Sequence, residues 1–111
     1  MCRRGAVDAI SIAWGSVIEI MHVRLADGAD EAAFLAADKE LQEQFAYQQP
    51  GLLRRTTAKG DDGRFIVIDL WRSAADADAC AARWDSDPLV RRFLSHLDAG
   101  SVESERYHER D

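Results

Sequence analysis

The order of strand and helix signals in this 111-residue sequence predicts a ferredoxin-like α+β domain, with helices on one face of a four-stranded antiparallel sheet. Three observations predict it. Residues 17–25 and 64–72 are β-branched and aromatic runs that read as strands. Each is followed by apolar residues at helical spacing. A weaker strand, 52–59, joins 64–72 through Gly60-Asp61-Asp62-Gly63, a hairpin connection whose glycines can take positive φ. With a polar alternating strand over 101–108, the order becomes β-α-β-β-α-β.

The boundaries follow from local chemistry. Asp27-Gly28 turns the chain out of the first strand, and Asp30 N-caps a helix over about 31–48. Phe34, Ala37, Leu41 and Phe45 share one stripe of it, and Pro50-Gly51 stops it. Ser73 and Asp76 stand in an N-capping arrangement for the next helix, with Asp in place of the usual Glu. Ala77, Cys80, Ala81 and Trp84 form its apolar face. Asp87-Pro88 interrupts that helix and starts another, lined by Leu89, Val90, Phe93, Leu94 and Leu97. Asp98-Ala99-Gly100 ends it. Residues 17–111 form the domain. Residues 1–16 read as an arm or an extra strand, since Ile10, Ile12 and Trp14 alternate.

Composition narrows the function. Hydrophobic residues make up 47% and charged residues 31%, a globular balance. The net charge is −6, and the basic pairs Arg3-Arg4, Arg54-Arg55 and Arg91-Arg92 are spread along the chain without forming a patch. Nucleic acid is therefore not an expected partner. No stretch reaches membrane-span length. Cys2 and Cys80 lie far apart, with no metal or disulfide spacing, which fits a reducing compartment, the cytoplasm. His96 and His108 lack companions at metal-ligand spacing, so no metal site is expected.

Side chains alternate between the two faces of a strand. On 64–72, the uniformly apolar set Ile66, Ile68 and Leu70 is expected to face the helices. The mixed set Phe65, Val67, Asp69 and Trp71 is then expected on the open face. On 17–25, Met21, Val23 and Leu25 should face the helices, leaving Ile18, Ile20, His22 and Arg24 open. A face carrying Phe65, Val67, Trp71, Ile18 and Ile20 is too apolar to stand in water, so a homodimer packed sheet against sheet is expected.

Pro50-Gly51 before the second strand, Leu70-Trp71-Arg72-Ser73 leading into the second helix, and Trp84-Asp85-Ser86-Asp87 within it carry a resemblance. With the element order, they resemble the antibiotic-biosynthesis-monooxygenase-like superfamily of dimeric α/β barrels over about residues 17–108. The resemblance implies a dimeric barrel and a small-molecule site. It implies one of three activities: cofactor-free monooxygenation of aromatic polyketides, haem degradation, or ligand binding without chemistry. Oxygenases of that family pair a helix-two tryptophan with a strand-one asparagine, and this sequence contains no asparagine. Haem degraders add a histidine about three turns after the tryptophan. Here that position falls near Phe93 or Leu94, with His96 beyond it, so haem is disfavoured and no cofactor is expected.

His22 and Asp69 are the expected catalytic pair. Their strands are neighbours, and both residues belong to the expected open face. A carboxylate beside a histidine orients the ring and favours a general base. The structural alternatives are a plain His–Asp contact or an Asp69–Arg24 ion pair at the dimer interface. Trp84 and Trp71 are expected to wall a pocket for a small aromatic molecule, with Arg24, Phe65, Val67 and Ile20 around it. Ordinary core packing is the competing reading for both tryptophans. The expected activity is cofactor-independent monooxygenation, with a non-catalytic ligand-binding or stress-response dimer as the alternative and a haem oxygenase as a weaker one.

Overall fold

The computed structural model describes residues 15–110. The expectation for residues 1–16 lies, but for the last two of them, outside the described residues. The strands are β1 (Val17–Val23), β2 (Leu52–Lys59), β3 (Phe65–Trp71) and β4 (Glu103–His108). The helices are α1 (Glu31–Gln44), α2 (Ala74–Trp84) and α3 (Pro88–Leu94). The sheet is antiparallel, ordered β2-β3-β1-β4, which is the ferredoxin-like arrangement.

The capping residues act as the sequence suggests. Asp30 accepts from the Ala32 N–H, Ser73 from the Asp76 N–H, and Asp87 from the Leu89 N–H. The first helix ends at Gln44, earlier than expected, and a single 3-10 turn, Ala46–Gln48, replaces its last turn. The Gln49 side chain caps the break by donating to the Phe45 carbonyl at 3.1 Å. Gly51 then turns the chain with φ +86, and its carbonyl accepts from the Arg72 N–H at 2.8 Å. A Cβ on Gly51 would collide with the Asp76 side chain, so α2 packs its first turn on bare backbone.

The core lies between the sheet and the helices. Phe34, Leu41, Val90 and Phe93 come from the helices, and Val17, Val23, Phe65, Val67 and Trp71 from the strands. β1 presents its faces as expected. β3 is the reverse of the expectation: Phe65, Val67, Asp69 and Trp71 face the helices, opposite Val23, Met21, Glu19 and Val17. Ile66, Ile68 and Leu70 share the open face with His22, Ile20 and Ile18. The aromatic rings decide this. Phe65 packs edge-on against Phe34 at 5.0 Å and Trp71 is 2% exposed, so the bulkiest side chains fill the thick helical layer.

β2 contains a one-residue bulge. Leu52 pairs with Trp71 and Arg54 with Leu70, so Leu53 has no place in the ladder. Beyond the bulge, Arg55 faces the helices and Arg54 faces away.

Candidate functional site

A cavity of about 270 Å³ opens between the sheet and α2. Glu19, Met21, Val67, Asp69 and Trp71 line its sheet side, with Ser104 at the β4 edge. Ala77, Cys80, Ala81 and Trp84 line its helix side. Trp84 serves two purposes: it borders the cavity and rests edge-on against Phe45 and Phe93 at 6.1 and 6.4 Å.

One transverse row of charge crosses the floor. Arg55 of β2 stands opposite Asp69 of β3, Asp69 opposite Glu19 of β1, and Glu19 opposite Arg106 of β4. Helices extend the row at both ends. Asp38 of α1 pairs with Arg55 at 2.8 Å, and Asp78 of α2 with Arg106 at 2.8 Å. Two carboxylates, Asp69 and Glu19, are therefore neighbours in the middle.

The two are held very differently. Arg106 grips Glu19 with two N–H groups, at 2.9 and 2.8 Å on one oxygen. Arg55 is buried, stacked over Phe93 at 5.7 Å, bonded to Gln42 at 3.3 Å and committed to Asp38. Its contact with Asp69 is only 3.7 Å. Burial therefore dominates at Asp69 and pushes its carboxyl up to about 6. Arg55 pulls it back in part, while Glu19 and Asp38 add to the rise. Asp69 thus exchanges its proton near neutral pH, which suits a general base. Burial also pushes the Cys80 thiol up to about 11, with Asp69 and Glu19 adding to it, so this cysteine is no nucleophile.

His22 and Asp69 do not meet, because they stand on opposite faces of the sheet. His22 instead bonds Glu105 at 3.1 Å, and the Tyr107 hydroxyl donates to the other Glu105 oxygen at 3.1 Å. The Asp69–Arg24 ion pair is absent as well: Arg24 pairs with Asp62 at 3.4 Å beside the β2–β3 hairpin. Of the expected pocket residues, Trp71, Trp84, Val67 and Ile20 border the cavity. Phe65 lies in the core against Phe34, and Arg24 is exposed. Glu19, Arg55 and Arg106 were not singled out by sequence reading as partners of Asp69. Their signal is a charge at the inward position of each strand, which becomes readable only with the strand order and the bulge in hand.

Haem does not fit this lining. The cavity wall holds no histidine, and its cysteine stays protonated. His96 sits against the Phe34 ring at 6.3 Å. Among the described residues no cluster of His, Cys, Asp and Glu could hold a metal ion, and no helix is long and apolar enough to cross a membrane.

The ferredoxin-like fold of this chain, with helices covering one face of a β2-β3-β1-β4 sheet, is shared by solved structures. SnoaB, a cofactor-independent oxygenase from Streptomyces nogalater, superimposes with a TM-score of 0.72 at 17% identity, covering 87% of this chain and 95% of its own. A conserved protein from Methanosarcina mazei Go1 gives 0.71 at 10% identity, with 89% and 97% covered. A protein from Caulobacter crescentus CB15, provisionally described as an antibiotic biosynthesis monooxygenase, gives 0.70 at 13% identity, with 88% and 92% covered. No protein-family model and no curated protein sequence matches the chain.

Proposed function

We propose that this chain binds a small aromatic molecule in the α2 cavity and oxygenates it without a cofactor, with Asp69 as the base. The observation that carries the reading is a buried carboxylate with its pKa raised to about 6, in a cavity that Trp71 and Trp84 also line. Asp69 takes a phenolic proton, and the phenolate becomes electron-rich enough to react with dioxygen. A ring C–H para to the hydroxyl becomes a carbonyl: one oxygen atom enters the ring and the other leaves as water. The substrate supplies all four electrons, so the quinone forms with no added reductant. Trp71 and Trp84 hold the ring by stacking and edge contacts. His22 has no part in this step, since it lies across the sheet.

The protein acts as a cytoplasmic homodimer in this reading. The aliphatic stripe of Ile18, Ile20, Ile66, Ile68 and Leu70, half-buried on the face away from the helices, supports the second copy. A non-catalytic ligand-binding dimer is the other reading, and the lack of any asparagine favours it.

Oxygen uptake with hydroxyanthrone substrates, which carry the C–H that the step oxidises, separates the two. The oxygenase consumes oxygen and forms quinone, with activity rising through about pH 6 and falling at least about 100-fold in Asp69→Asn. Equal rates in the wild type and Asp69→Asn remove Asp69 as the base. Ligand binding with no uptake in either establishes the binder.

A further inference from the structure

Arg106 reaches further than its strand requires. β4 is exposed along its whole length, yet this side chain folds back over the sheet edge and joins three elements. It donates twice to Glu19 of β1 and once to Asp78 of α2, all at 2.8–2.9 Å. Glu19 is the one carboxylate directly opposite Asp69. Side chains facing each other across an antiparallel pair lie about 5 Å apart at Cβ. At that range an unneutralised carboxylate strongly opposes the ionisation of its neighbour.

We propose that Arg106 is a positioning residue for Asp69: it draws the Glu19 carboxylate to the outer end of the charge row, neutralises it and fastens it to α2, so that Asp69 can give up its proton. The inference rests on the reading of Asp69 as the base, though its main test needs no substrate. The groups around Asp69 are accounted for on every side. β2 contributes Arg55, β1 Glu19 and α1 Asp38; α2 brings Cys80, on which Arg83 acts, and Asp78, which pairs with Arg106. α3 contributes only the Phe93 ring under Arg55. Arg55 is shared between Asp38 and Asp69, and Arg106 is the cation bonded to Glu19.

The test is a ¹³C NMR titration of the Asp69 carboxyl carbon in the full chain, each variant checked for folding by its amide spectrum. Arg106→Gln raises the Asp69 midpoint by about one pH unit, because Glu19 is left uncompensated. Arg106→Lys keeps the midpoint near that of the wild type. Glu19→Gln lowers it, and adding Arg106→Gln to Glu19→Gln then moves it by less than half as much as in the native background. An unmoved midpoint in folded Arg106→Gln, or the same rise with Glu19 already removed, overturns the proposal. Glu19→Gln keeps the test decisive if Arg106→Gln fails to fold, since a midpoint it leaves unchanged also overturns the proposal. The expected NMR pattern with no oxygen uptake upholds the positioning role and discards the oxygenase reading.

Discussion

Asp69 is kept at a cost to the fold. Its carboxyl holds a proton up to about pH 6, against an ordinary value of 3.8, so the folded chain binds that proton more tightly than the unfolded one. Stability from this group is therefore full below about pH 4, falls as pH rises toward 6, and stays low above it. The loss is on the order of 2–3 kcal/mol. Asp69→Asn, which mimics the neutral acid, should remove that fall: urea melts should find it more stable than the wild type at pH 8 and little different at pH 4. Such a gain, paired with lost activity, is the usual mark of a functional site. Arg55 behaves oppositely. Arg55→Met leaves Asp38 buried without its cation and should cost about 3–5 kcal/mol in the same assay at pH 8.

The junction of β2, β3 and α2 turns on Gly51. Its backbone is left-handed, and the Asp76 carboxylate fills the space a side chain would need. Gly51→Ala should destabilise by about 2 kcal/mol or more. Gly51→Ala with Asp76→Ala should recover only part of this, because the φ strain persists; thermal melts of both variants check it. Elements of this kind were legible in the sequence. Pro50-Gly51, Ser73, Asp87-Pro88 and the Gly60–Gly63 hairpin each carry their geometry in one or two residues. The faces of β3 were not legible. Alternation separates Phe65, Val67, Asp69 and Trp71 from Ile66, Ile68 and Leu70, but both sets are apolar enough to be buried. Asp69 reads as an outward residue in sequence, whereas it faces Arg55, which Asp38 of α1 holds on the helix side. Nothing near Asp69 in sequence announces Arg55 as its partner.

At the scale of the whole molecule, the sheet keeps two polar groups apart. The charge row lies on the helix side, and His22 with Glu105 and Tyr107 lies on the open side. Trp71 and Trp84 border the cavity on the helix side, whereas sequence reading sets Trp71 on the open face; the charge row beside it draws on all four strands and needs the full topology. The open side should be closed by a second copy. Ile68 lies at its centre, between Ile20 and Thr56. Ile68→Lys should convert a dimer to a folded monomer in light scattering at micromolar concentration, with the thermal transition becoming independent of protein concentration. A wild-type monomer mass under those conditions removes the dimer.

The surplus Leu53 decides which of the two β2 arginines meets Asp69. Were the ladder to slip by one step and smooth out the bulge, Arg54 would take the seat of Arg55 and still place a guanidinium opposite Asp69. The same slip would turn Arg55, Thr57 and Lys59 out to the open face and take Arg55 from Asp38, so the bulge fixes the seating of the whole strand.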